Sequence, residues 1–233
     1  MKRFYKQVAR AQTDHGWRVE LDGRPIKTAL GHTQEVPTEA LADVLAAEWE
    51  KQGEEINPAL FHKRDLADFA IDIVTPDREG TNTKLVAFLE TDTLCYRADP
   101  DEPLYRRQQE VWEPLLTKFE QREGIKLDRI SGIMHRPQPE TTLAALSPKL
   151  GALDPFALTA LLTMTSLAAS LAVGMSALED GADIAALWNA ANLEEDWQIE
   201  QWGEDHEAGA VRSKRKADFI NAWEFLKLTQ TGI

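Results

Sequence analysis

Residues 16–53 read GWRVELDGRPIKTALGHTQEVPTEALADVLAAEWEKQG, and inside this stretch the hydrophobic period changes. Trp17, Val19 and Leu21 alternate with Arg18 and Glu20, the pattern of a strand with one buried face. Asp22-Gly23 supplies two residues that accept positive φ, and Ile26 resumes the apolar face after Pro25, so a β-hairpin is predicted. With Phe4, Tyr5 and Val8 ahead of it, three or four short strands make a small sheet or partial barrel. After Pro37 the period becomes helical. Leu41, Leu45, Glu48 and Gln52, with Val44, Ala47 and Trp49 beside them, predict an amphipathic helix from Thr38 to near Gly53.

Helical spacing then persists. Leu66, Phe69, Ala70 and Ile73 predict a second helix stopped by Pro76, and Leu85, Phe88 and Leu89 a third. A longer one runs from about Pro103 to Gly124 with Trp112 and Phe119 on its apolar face, kinked or divided at Pro114. Residues 125–138 read as irregular, with Leu127, Ile130 and Ile133 turned inward. Ser147-Pro148 and Asp154-Pro155 each place a capping side chain before a proline, and so predict helix starts. Further helices are expected from Asp183 and from about Ser213 to Leu228. The fold class is α+β: a β-rich N-terminal domain over 1–60, with the first helix at its end, and a mainly helical domain over 61–233.

Residues 155–178 carry no charge, which is long enough for a membrane span. Trp and Tyr are absent from the segment and no Lys or Arg follows until Arg212, so the interfacial anchors and orienting charges are missing. A single buried helix is the reading. Thr159, Thr163, Ser166 and Ser170 form its small polar stripe, which lets a neighbouring helix approach closely, and Leu161, Met164, Ala168, Leu171 and Met175 line another face.

The chain has 233 residues, 43% of them apolar, and can bury its core without disulfides or metals. Cys95, the single cysteine, fits a reducing compartment and a buried thiol. MKRFYKQVAR at the N-terminus has basic residues but no apolar run or cleavage site after them, so a cytoplasmic location is expected. The net charge is −13, and between Lys149 and Arg212 there are 11 acids with no Lys or Arg. Such a stretch repels nucleic acid and anionic lipid. It is either a solvated face or a surface for a basic partner.

Phosphate loops, dinucleotide turns, HExxH, paired CxxC and GxSxG are all missing from the sequence. His15, His32, His62, His135 and His206 lack ligand spacing. Glu204-Asp205-His206-Glu207 is the nearest approach to a metal cluster, and a metal-dependent hydrolase using Asp205, His206 and Glu207 is kept as an alternative, beside an adaptor for some other basic protein. The favoured reading has no enzyme activity, cofactor or metal. More order lies in Glu195, Gln198, Ile199 and Trp202, which share one helix face and join a carboxylate and an amide to two apolar anchors. Trp188 lies two turns earlier on nearly the same side. Either Ile199 and Trp202 are core residues with Glu195 paired to Arg212, Lys214 or Arg215, or this face binds a partner.

Taken together, GWRVELDGRPIKT, VPTEALADVLAAEWEKQ followed by INP, TDTLCYRA, WEPLL, LDPF and LEEDWQIEQWGED resemble the family of ATP synthase assembly chaperones that bind the free α subunit of the catalytic head. The resemblance runs from about Phe4 to Leu228. It implies a monomeric, non-enzymatic chaperone that shields the α subunit until it meets the β subunit, cytoplasmic in bacteria and in the mitochondrial matrix of eukaryotic relatives. Two blocks carry residues over. Trp49 and Gln52, in AEWEKQ, are implied to be structural, and Glu195, Gln198, Trp202 and Gly203 to bind the partner. After Gly203 the run EDHEAGA departs from the mitochondrial pattern, which leaves Glu204 to Glu207 without an implied role.

Overall fold

The computed structural model describes residues 1–132, 136–203 and 205–230, and the change of period at Pro37 is a change of architecture. β1 (Val8–Thr13) and β2 (Gly16–Leu21) form an antiparallel hairpin with Val8 opposite Leu21. Gly16 is required there, because a Cβ would lie 2.3 Å from the Val36 carbonyl oxygen. Asp22 and Gly23, both at positive φ, turn the chain into β3 (Arg24–Pro25), as the Asp-Gly pair predicts. β4 (Glu35–Val36) pairs with β2 as well, so β2 is the centre of a four-stranded antiparallel sheet. Val19 and Leu21 are its buried residues, while Arg18 and Glu20 pair at 2.7 Å on the other face.

α1 (Glu39–Glu50) starts where Thr38 Oγ1 accepts the Leu41 N–H, and buries Leu41, Leu45 and Trp49. α2 (His62–Phe69) has no side-chain cap from its own N-terminus. Its first turn is satisfied from α1: the Glu48 carboxylate accepts the N–H groups of Lys63 (2.8 Å) and Arg64 (2.9 Å). Lys63 Nζ in turn donates to Asn221 Oδ1 (2.6 Å) and Glu224 Oε2 (2.8 Å). A π-helical turn at Ala70–Val74 ends this helix ahead of Pro76, and its buried Asp72 holds the loop before β4 by accepting from Thr28 Oγ1 and the Leu30 N–H. These ties explain one difference from the sequence division at residue 60. By packing, one compact unit comprises residues 1–78, 154–160 and 221–230, so α2 joins the sheet and α1 in it.

The second unit comprises residues 79–153 and 161–220. α3 (Arg78–Glu90) leads through a 3-10 turn at Thr93–Cys95 to β5 (Tyr96–Arg97), which pairs in parallel with β6 (Ile130–Ser131). Between them α4 (Pro103–Glu123) passes through Pro114 without dividing into two helices, because the fully buried Trp112, Leu116 and Phe119 hold both of its halves. Gly124, at φ +68, ends it as expected. Leu127 and Ile130 are buried, and Ile133 and His135 lie outside the described residues. Ser147-Pro148 does not start a helix. It falls late in α5 (Glu140–Gly151), whose buried Thr142, Leu146 and Leu150 already set a helical face.

Asp154 does cap α6 (Pro155–Ala168), accepting the N–H groups of Phe156 (2.8 Å) and Ala157 (3.0 Å). The single uncharged helix expected over 155–178 is divided. Ala169 takes φ +48, and Ser170 caps a separate α7 (Leu171–Ser176). The reason is distant in sequence: buried Asp92 accepts the Ala172 N–H at 3.0 Å and so satisfies the new helix start. Ser170 is therefore a cap and not part of a polar stripe, and the close approach of α7 to α6 falls at residues outside that stripe, Gly174 against Thr165, where a Cβ on Gly174 would clash with the Thr165 hydroxyl. Among the described residues no helix is long and apolar enough to cross a membrane. α8 (Ile184–Ala191), α9 (Leu193–Trp202) and α10 (His206–Thr229) complete the chain, α10 starting earlier than Ser213.

Candidate protein-binding site

The acid-rich segment is built from helix ends. Asp183 Oδ1 accepts the Ala186 N–H and opens α8, which stops at Asn192, where the side-chain amide turns back onto the Trp188 carbonyl at 2.8 Å. This break places Trp188 on a different helix from Glu195, not on a shared face. It is core, 1% exposed against Phe219 at a ring distance of 5.4 Å. α9 then runs to Gly203, whose φ of +86 reverses the chain, and Asp205 Oδ1 opens α10 by accepting the N–H groups of Glu207 and Ala208, both at 2.9 Å. Asp205 is thus spent on a helix cap, Glu204 lies outside the described residues, and among the described residues no three His, Cys, Asp or Glu side chains group to hold a metal ion.

Between α9 and the start of α10 lies a shallow groove of about 250 Å³. It is lined by Glu195, Gln198, Ile199, Trp202, Gly203 and, from α10, Arg212 among others. The four residues expected to bind a partner therefore share one concavity. Trp202 is 79% exposed, so it is not core. An indole left in water at a helix end costs hydrophobic free energy that covering it recovers.

The acids of α9 do not form one sheet of charge. Glu194 turns inward to accept from Gln108 Nε2 at 2.7 Å, and burial pushes its carboxyl up. Glu200 is gripped by Arg107, with Nη2 to Oε1 at 2.8 Å, and that hydrogen bond holds it below the usual carboxylate range. Asp196 pairs with Arg212. Glu195 is different: it is 35% exposed and reaches Arg215 and Arg212 only at 3.8 and 4.0 Å. Elsewhere in the stretch, Glu179 pairs with Lys118 and Arg122. Most of the described acids of the run are accordingly capping or paired carboxylates in space, with Glu195 among the less committed. Arg212 stands among the partners expected for this helix, although it pairs with Asp196 more closely than with Glu195; Arg107 and Gln108 were not legible, because α4 meets α9 only in three dimensions.

Trp49 and Gln52 belong to the first unit and are not among the groove's lining residues. The Trp49 ring, 6% exposed, meets Tyr5 edge-on at 5.5 Å and Phe61 at 4.6 Å, and the Tyr5 hydroxyl donates to the Trp49 carbonyl at 2.6 Å. All three rings lie in the first unit. Gln52 is buried, donating to the Glu48 carbonyl at 3.2 Å and accepting the Asn57 N–H at 2.7 Å.

An exposed aromatic beside a loosely held carboxylate is a surface suited to gripping protein, and comparison with known proteins defines the class as chaperones of ATP synthase assembly. Residues 2–120 match the model of the ATP12 chaperone protein family. Atp12 from Paracoccus denitrificans is 34% identical, with 98% of each chain covered and a TM-score of 0.93. The Atu1473 protein of Agrobacterium tumefaciens is 36% identical over 98% of this chain and 86% of its own, with a TM-score of 0.92. Mitochondrial protein atp12 of Schizosaccharomyces pombe is 28% identical over 222 residues, 90% of this chain and 76% of its own length. The chain belongs to the ATP12 chaperone family.

Proposed function

We propose that this chaperone holds the free α subunit of the ATP synthase catalytic head, as a monomer and without chemistry of its own, until the β subunit replaces it. The observation that carries the reading is the groove that gathers Glu195, Gln198, Trp202 and Gly203 around an indole 79% exposed. An unassembled subunit exposes apolar interface that aggregates, and covering it calls for surface, not catalysis. A loosely paired carboxylate adds selectivity: it can meet a cation of the client and speed the encounter, yet be displaced when the β subunit supplies a better contact.

Purified α subunit, warmed alone and with the chaperone, tests this. Wild-type protein is expected to suppress light scattering at equimolar ratio and to form a 1:1 complex by size exclusion. Trp202→Ala is expected to keep its Tm and lose most of the suppression. Equal suppression by Trp202→Ala would move the binding surface elsewhere, and no suppression by wild type would remove the α subunit as client.

A further inference from the structure

We propose that a cationic pocket on the sheet, separate from the α9 groove, takes a second segment of the client in which an Asp or Glu stands beside an apolar side chain. The pocket, about 450 Å³, opens between the N-terminal segment and β3. Its buried lining is apolar: Tyr5, Leu21, Ile26 and Trp49. Phe4 stands at its rim, 63% exposed. That volume accommodates one or two side chains and not a folded element.

Charge selects the occupant. Arg24, Lys27 and Arg64 line the pocket on a protein of net charge −13, and Asp22 is the one acid among its lining residues. Asp22 is already engaged, its oxygens accepting the N–H groups of Lys6 (3.0 Å) and Gln7 (2.8 Å). Arg24 and Lys27 are exposed, and no ion pair holds either of them among the described residues. Arg64 lies over the Trp49 and Phe61 rings at 5.4 and 4.8 Å, and reaches Asp68 at 3.3 Å. Its Nε and Trp49 Nε1 are buried donors with no acceptor among the described residues. Three cations around an apolar floor match a carboxylate next to an aliphatic or aromatic group. The sign is opposite to that of Glu195, so the two sites would read opposite charges on one client.

This inference rests on the α subunit being the client, and the test separates the two. Phe4 is replaced by p-benzoylphenylalanine, and the complex with purified α subunit is irradiated and mapped by mass spectrometry. The adduct is expected on an α-subunit segment with Asp or Glu within two residues of an apolar side chain. In parallel, Arg24→Glu/Lys27→Glu is expected to weaken the complex at least tenfold with Tm unchanged, and the milder Arg24→Gln/Lys27→Gln pair to lose part of that affinity. A complex without an adduct, an adduct on a second copy of the chaperone or on a segment lacking acids, or affinity within twofold for both pairs overturns the pocket and leaves the client standing. Absence of any complex with wild type overturns both.

Discussion

The carboxylate of Glu48, on α1, accepts the backbone N–H of Lys63 at 2.8 Å and so supplies the cap that α2 lacks. Glu48 is buried, and burial pushes its carboxyl up against the two N–H groups that favour its ionised form. Glu48→Ala is expected to destabilise the protein by about 1–3 kcal/mol, the scale of a lost cap plus exposed orphan donors. Glu48→Gln, which keeps one acceptor oxygen, is expected to cost less. Urea unfolding of both variants checks the order; equal stability of Glu48→Ala and wild type would show that water serves α2 as well.

Trp49→Arg removes the ring that sits between Tyr5 and Phe61 and puts a second guanidinium beside Arg64. The expected cost is about 3–5 kcal/mol, the scale of a large aromatic deletion, with a further penalty for the buried charge. Most of the variant is expected in the insoluble fraction on expression. Recovery of soluble protein with an unchanged Tm would contradict the structural role of this side chain.

Glu195 has only long contacts to Arg212 and Arg215, at 4.0 and 3.8 Å, so its charge contributes to stability at the surface-pair level of under about 1 kcal/mol. Glu195→Lys is expected to move Tm by no more than a few degrees while weakening protection of the α subunit at least tenfold. Glu195→Gln, the isosteric control, is expected to fall between. Loss of Tm and protection together would assign Glu195 to the scaffold.

Asp92 is fully buried where α7 begins, and desolvation pushes its carboxyl up to about 6 in spite of the N–H groups of Leu94 and Ala172. A native pKa above the unfolded one means that the folded state binds the proton more tightly. Its contribution is therefore complete below about pH 4 and is lost as pH rises through 6. Between pH 4.5 and 7 wild type is expected to lose roughly 2 kcal/mol more than Asp92→Asn does. Urea midpoints at the two pH values measure this, and parallel pH slopes would place the Asp92 titration elsewhere.

Much was legible in residue order because the signals are local. The alternation of Trp17, Val19 and Leu21, the Asp22-Gly23 turn, the Thr38 cap, the Asp154-Pro155 start and the Gly124 stop each concern neighbours within one turn. The set Glu195, Gln198 and Trp202 was legible for the same reason, since helical spacing alone puts them on one face. Errors arose where a distant partner outweighed a local rule. The uncharged run is divided at Ala169 because Asp92, far away in sequence, satisfies the second helix start.

The sequence by itself determined the α+β class, several helix ends and which side chains share the α9 face, since each depends on backbone conformation and spacing. Only the tertiary structure decided which acids are spoken for. Arg107, Arg212 and Gln108 reach Glu200, Asp196 and Glu194 across the packing of separate helices, leaving Glu195 loosely held and Trp202 in water. A charge is neutralised by what stands within a few ångströms of it, and that is a property of packing, not of order along the chain.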